Sequence, residues 1–332
     1  MSTQKKRVLL AHILGQAGKE MLADRDDIEC VEFPNTITPE ALRELCNQFD
    51  EVHAVILGVT PFGEAELEAA RSLQVVSRIG VGFDAVDIPC MTRAGVPVMV
   101  CANANHRAVA EHTLSFMLGL AKRLGELDSM VKSGRWQERY SCLPTELEGS
   151  RVLVVGLGRI GSRVARLCLA FGMQVSAYDP YRDAESFPPG IQRVASLDEA
   201  LPVADYVTLH CPKTPETLGM FGEARLAQMK PGAFLITTAR GGIVDEAALY
   251  RALQAKRLGG AALDVFMPEA PPTDNPLFSL PNVLCSPHLS GVSQEAVARM
   301  GVIAAHNVLE VLAGNGDPDY AVNPVVLQHN IH

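Results

Sequence analysis

The chain is paced by short, unbroken apolar runs: VLLAH at 8–12, VHAVILG at 52–58, VVSRIG at 75–80 and VPVMVCA at 96–102, then VLVVG at 152–156, VSAYD at 175–179, YVTLH at 206–210, FLITT at 234–238, AALDVF at 261–266 and NVLCSP at 282–287. A half-exposed strand alternates apolar and polar residues, whereas a strand covered on both faces reads apolar throughout. Helical patterns separate the runs, so the rhythm predicts parallel sheets with helices on both faces, an α/β fold. The same rhythm fills both halves, and 332 residues exceed what one core usually organises. Two doubly wound parallel-sheet domains are expected.

The boundaries follow from two helical stretches, AVAEHTLSFMLGLAKRL and SQEAVARMGVIAAHNVLEVLAG, whose apolar residues recur at helical spacing and which are long enough to cross between domains. Residues 1–102 and 294–332 are read as one discontinuous domain, and 103–293 as the other. With 48% hydrophobic and 20% charged residues the chain should fold throughout, and its net charge of -9 argues against a nucleic-acid groove or an anionic membrane surface. The opening Lys5, Lys6 and Arg7 before VLLAHILG resemble a short signal peptide, but His12 interrupts the apolar stretch and no small-residue cleavage site follows. A first buried strand and a soluble, cytoplasmic protein are expected. Eight cysteines without a Cys-x-x-Cys pair or zinc spacing point to free thiols and no metal; His106 and His112 also lack metal spacing.

In VLVVGLGRIG a buried strand runs straight into Gly156, Gly158 and Gly161. The first glycine permits a tight turn, the second lets the backbone approach a pyrophosphate, and the third lets the next helix pack against the strand. Amides at that helix N-terminus then face the anion. The helix IGSRVARLCLAFG and the strand MQVSAYD follow, ending in Asp179, whose carboxylate can accept adenosine-ribose hydroxyls and repels a 2′-phosphate. NAD is favoured over NADP, although Arg182 nearby could greet a phosphate.

Beyond the turn, three polar residues stand at or just past strand ends: Arg240 in TTARGGIVDE, Glu269 in AALDVFMPEAPP and His288 in SPHLSG. In an open parallel sheet the carboxyl ends of the strands border the ligand crevice. A guanidinium grips a carboxylate two-pronged, an imidazole exchanges protons near neutral pH, and a carboxylate bonded to it fixes its orientation. Together these suit hydride transfer on a 2-keto acid. Singly, each has a dull explanation: Arg240 could cap a strand, Glu269 could be a solvated loop residue, and His288 could be a packed histidine.

The motifs RIGVGFDAVD (78–87), NHRAVAEHTLSFML, VLVVGLGRIG, LHCPKTPET (209–217), MKPGAFLITTARGGIVDEAAL, GGAALDVFMPE and SPHLSG, in this order, closely resemble the D-isomer-specific 2-hydroxyacid dehydrogenase family, of the phosphoglycerate dehydrogenase and hydroxypyruvate-glyoxylate reductase type. The resemblance implies a Rossmann NAD-binding domain inserted in a discontinuous flavodoxin-like substrate domain. It implies NAD-dependent oxidation or reduction at C2, with Arg240 anchoring the substrate carboxylate, His288 as acid and base, and Glu269 behind it. The family's cofactor contacts fall on Gly156, Gly158, Arg159, Ile160, Gly161, Asp179, His210, Thr238, Ala239, Arg240, Asp264, His288 and Gly291. Substrate contacts fall on Val81 and Gly82, with Arg240, and on Arg78 for a phosphate. Relatives are usually homodimers through the cofactor domain, often using the segment that here reads MVKSGRWQERYSCLPTELEG; Trp136 and Tyr140 suit an interface or a core.

A formate-type enzyme would pair the histidine with glutamine, which Glu269 opposes. A non-metabolic, NAD-sensing corepressor-like scaffold is the alternative of another class. A thiol enzyme using Cys285 with His288, or Cys211 with His210, is disfavoured because sequence neighbours on a strand point to opposite faces. Glu64 and Glu66 make the loop GVTPFGEAEL acidic, favouring a small unphosphorylated acid over phosphoglycerate. The chain ends soon after its last helical stretch, so no appended amino-acid-binding domain and no feedback by serine are expected.

Overall fold

The computed structural model describes residues 5–328 and divides into two compact units. One joins the chain up to Asn105 to the segment from Val292 onward; the other is His106–Gly291. Each holds one parallel sheet.

The first sheet comprises β1 (Lys6–Ala11), β2 (Ile28–Phe33), β3 (Ala54–Leu57), β4 (Val75–Arg78) and β5 (Val98–Val100), in the order β2-β1-β3-β4-β5. That is the flavodoxin-like order of a doubly wound sheet. The opening basic cluster thus leads into a strand, as expected of VLLAH. The C-terminal segment belongs to this unit because hydrogen bonds tie it to the sheet. Asn323 accepts from the Val98 amide at 2.8 Å and donates to the Val96 carbonyl at 3.0 Å. Ser77 of β4 donates to Ala304 in the helix Gln294–Leu312 at 3.1 Å.

The second sheet comprises β6 (Arg151–Val155), β7 (Gln174–Tyr178), β8 (Ile191–Arg193), β9 (Tyr206–Leu209), β10 (Phe234–Thr237), β11 (Gly260–Leu263) and β12 (Val283–Cys285). Their order, β12-β11-β10-β9-β6-β7-β8, is the dinucleotide-fold order with one strand added. The unbroken apolar runs now have their cause. Leu153, Val155, Val207, Leu209, Leu235 and Leu263 pack on one face, while Val152, Val154, Tyr206, Ile236 and Ala262 pack on the other, under the helices His106–Ala121 and Arg159–Ala170. Each large side chain so buried contributes about 1.5–3 kcal/mol relative to exposure.

The apolar runs do not mark β2 and β8. Both lie at sheet edges; β2 carries Glu29 and Glu32, and β8 carries Gln192 and Arg193 outward, so neither is continuously apolar. The two long helices also differ from expectation. Each starts at a unit boundary and packs within its own unit, His106–Ala121 on β10 to β12 and Gln294–Leu312 on β3 to β5. Among the described residues no helix is long and apolar enough to cross a membrane.

Candidate active site

In the second unit the strand register brings the carboxyl ends of five strands level. Val155 pairs with Leu209, Leu209 with Thr237, Thr237 with Leu263, and Leu263 with Cys285. The residues just past these ends are Gly156, His210, Arg240, Asp264 and His288, which therefore share one edge of the sheet. The chain reverses its strand order between β6 and β9, and a doubly wound sheet opens its ligand crevice at such a switch.

The glycine turn stands at that switch. Gly156 has φ +89°, and a Cβ there would lie 2.8 Å from the backbone of His210 and Cys211. A Cβ on Gly161 would lie 2.0 Å from the Gly156 carbonyl oxygen, so the first turn of Arg159–Ala170 can only close on glycine. At Gly158 a Cβ would meet nothing within 4 Å, and no side chain caps the helix. Free amides therefore face open space, which fits a dinucleotide's pyrophosphate. Arg159 and Ile160 form the helix's first turn.

Asp179 follows at the end of β7, half-buried, accepting from the Leu157 amide at 2.8 Å and the Tyr181 amide at 3.1 Å. Arg182 does not face outward as a phosphate ligand. Its guanidinium donates to the Leu157 carbonyl at 2.6 Å, to Ser162 Oγ at 3.2 Å and to the Ser186 carbonyl at 2.7 Å. The acid and the committed arginine both fit NAD. His210 donates its amide to Val155 at 2.7 Å, and its Nε2 lies 2.9 Å from Thr208 Oγ1; burial pushes its pKa down to about 3, so the ring is neutral.

His288 Nδ1 lies 2.6 Å from Glu269 Oε1, and both side chains keep solvent access, 38% and 68%. The carboxylate accepts from Nδ1, which leaves Nε2 as the ring's outward proton site. His288 has φ 55°, in the left-handed region that costs a residue with a Cβ about 1–2 kcal/mol. Asp264, 0% exposed, holds it there. Its carbonyl accepts from the His288 amide at 2.8 Å, one carboxylate oxygen from Leu289 at 2.9 Å and from the Ser286 hydroxyl, and the other from Ser290 at 3.0 Å. Asp264 is thus directed into the 286–290 loop.

Arg240 is half-buried, with Nη1 donating to the Ala239 carbonyl at 2.8 Å. A Cβ on Gly241 would fall 1.9 Å from the Phe266 carbonyl oxygen, so the loop after β10 lies against the one leading from β11 toward Glu269. Thr238 is buried and its hydroxyl lies 3.1 Å from Thr113 Oγ1; Ala239, also buried, follows it past the end of β10. Gly291, also buried, closes the unit.

Comparison with known proteins meets this geometry. The model of the D-isomer specific 2-hydroxyacid dehydrogenase family, NAD binding domain, matches residues 114–290. The chain belongs to this family. It is 40% identical over 318 residues to the D-3-phosphoglycerate dehydrogenase of Mycobacterium leprae, covering 95% of this chain and 58% of the relative. It is 38% identical over 272 residues to that of Archaeoglobus fulgidus, covering 82% and 51%. The chain spans between half and three-fifths of the length of these relatives. Among solved structures, D-lactate dehydrogenase of Aquifex aeolicus complexed with NAD and lactic acid superposes with a TM-score of 0.81 at 29% identity, covering 95% of this chain and 99% of that one.

In this family member the remaining candidates lie on the first unit. Arg78 ends β4, half-buried, with Nη1 donating to the Ile79 carbonyl at 2.7 Å, and Val81 and Gly82 follow in the loop after it. In the segment 58–66, Glu64 and Glu66 fall on the short helix Glu64–Ala69, where Glu64 is exposed. Glu66 is buried, accepting from Arg43 at 2.5 Å and from the Gly63 amide at 2.8 Å, so its charge is neutralised within the unit. Burial raises the Cys211 thiol to about 11, far from a nucleophilic thiolate. Sequence reasoning missed His112 and Ser286, whose side chains bond at 3.0 Å behind Asp264.

Proposed function

We propose that the chain is an NAD-dependent dehydrogenase acting at C2 of D-2-hydroxy acids and the corresponding 2-keto acids. The observation that carries this reading is the His288–Glu269 contact of 2.6 Å at the sheet edge that also presents Arg240 and the glycine turn. Bound NAD supplies the hydride acceptor. His288, with Nδ1 held by Glu269, takes the 2-hydroxyl proton at Nε2 during oxidation and returns it during reduction. Arg240 grips the substrate carboxylate with paired N–H groups and polarises the adjacent carbonyl. Asp264 serves the cofactor by shaping the loop on which His288 and Gly291 stand.

Two substrate classes remain within this chemistry. The names of the phosphoglycerate-oxidising relatives favour 3-phosphoglycerate, with Arg78 meeting its phosphate. The lactate-bound neighbour supports a small unphosphorylated acid. Initial rates of NADH formation with D-3-phosphoglycerate, D-glycerate and D-lactate test the choice. For a phosphoglycerate enzyme, Arg78→Gln raises KM for the phosphorylated substrate at least tenfold and leaves the others unchanged. Equal effects on all three substrates would count against that role, and no turnover of any 2-hydroxy or 2-keto acid would favour an NAD-sensing scaffold.

The exposed apolar residues Leu124, Val131, Trp136, Tyr140 and Leu143 support a homodimer through this unit, since none of them is core.

A further inference from the structure

We infer that His112 is a positioning residue that, through Ser286 and Asp264, holds the loop presenting His288. The inference rests on the acid–base reading of His288 for its catalytic consequence, but not for its structural one.

The Asp264 carboxylate accepts from the Leu289 amide, the Ser290 amide and the Ser286 hydroxyl. Ser286 therefore spends its single proton on Asp264. Its oxygen is left as an acceptor, and His112 Nε2, 3.0 Å away, must carry the proton it receives. This places a hydrogen on His112 Nε2. The ring is steered from behind by an edge contact with Phe116, centroids 4.5 Å apart at 77°.

The three residues come from three elements. His112 lies on the helix His106–Ala121, Asp264 just past β11 and Ser286 just past β12. The helix packs on β10, β11 and β12, so the chain of bonds ties the 286–290 loop to a rigid body outside the loop itself. That tie matters because His288 sits at φ 55°, a conformation that persists only where its surroundings over-determine it. Without the His112 donor, Ser286 is free to rotate its hydroxyl away from Asp264, and the carboxylate loses one of the bonds that define the loop. His112 touches no reacting atom in this reading; it acts through its neighbours.

Hydrogen exchange of the NAD-free protein tests the tie directly. In His112→Ala the backbone amides of His288, Leu289 and Ser290 exchange at least tenfold faster than in the wild type, while amides of β6 to β10 are unchanged. His112→Gln, whose amide can donate to Ser286, keeps most of the protection. Ser286→Ala loses as much protection as His112→Ala, and the double variant loses no more than either. Steady-state kinetics with the best substrate among D-3-phosphoglycerate, D-glycerate and D-lactate then show kcat down about tenfold in His112→Ala at an unchanged KM for NAD, with recovery in His112→Gln. Wild-type exchange rates at 288–290 in His112→Ala would overturn the inference, as would independent, multiplying losses in the double variant. If His112→Ala loosens the loop but His288→Ala keeps wild-type turnover, the acid–base reading fails and the tie stands. If His112→Ala unfolds the chain, the Ser286→Ala and His112→Gln pair decides by the same exchange rates.

Discussion

His210 shows how one residue's surroundings become a property of the whole fold. Its pKa is pushed down to about 3 by burial, against about 6.5 for an exposed histidine. Between those values the unfolded chain binds a proton that the folded chain refuses, so this residue's contribution to stability falls as pH drops below about 6.5 and is fully lost near 3. The slope is at most about 1.4 kcal/mol per pH unit. Urea unfolding midpoints at pH 7 and pH 5 should fall more in the wild type than in His210→Gln; equal falls would show that His210 is not buried neutral. At the same scale, Arg240, Glu269 and His288 could be picked out as candidates in the sequence because their types and their places after strands match one chemistry. The office of Asp264 was not, because its partners are mostly backbone amides of Leu289 and Ser290, and an amide carries no mark of residue type. His112 was passed over for lacking metal spacing, when its partner is a hydroxyl more than a hundred positions away.

Among elements, the loops after β10 and β11 lie so close that the side chain at 241 must be hydrogen. Gly241→Ala would place a methyl carbon 1.9 Å from the Phe266 oxygen, and the backbone on one side must move. Equilibrium unfolding should show a loss of about 2–4 kcal/mol, within the range of severe single substitutions, together with loss of turnover. A variant as stable as the wild type would mean the two loops do not meet. Strands were read from the sequence wherever both faces are covered, because burial on both sides leaves an unbroken apolar run. The edge strands β2 and β8 escaped because an edge tolerates charge, and Glu29, Glu32 and Arg193 break the pattern. The helices were legible in period but not in role, since packing partners decide which unit a helix joins.

The whole molecule repeats one architecture twice, a five-stranded and a seven-stranded parallel sheet, and the second carries the glycine turn and the acid–base pair. That second unit also carries an uncovered apolar face. Trp136 and Tyr140 are 57% and 73% exposed, with Arg139 stacked at 5.8 and 4.7 Å from their ring centres. If that face pairs two copies, light scattering gives twice the 35.7 kDa of the chain for the wild type and a smaller mass for Trp136→Glu. A wild-type monomer at micromolar concentration would remove the dimer. The family was legible from motif order over nearly the whole chain; the substrate was not, because charge in sequence is not charge in space: Glu66 is paired with Arg43 while Glu64 stays exposed.

The proposal is that His288 moves the substrate's proton while the glycine turn and its flanking acid hold NAD. Its most direct measurement is His288→Ala, assayed in parallel for NAD binding by fluorescence titration and for turnover of the best 2-hydroxy acid. The expected result is an NAD Kd within about twofold of wild type and a kcat lower by roughly 10²–10⁴. Turnover near the wild-type rate in a variant that binds NAD normally would contradict it.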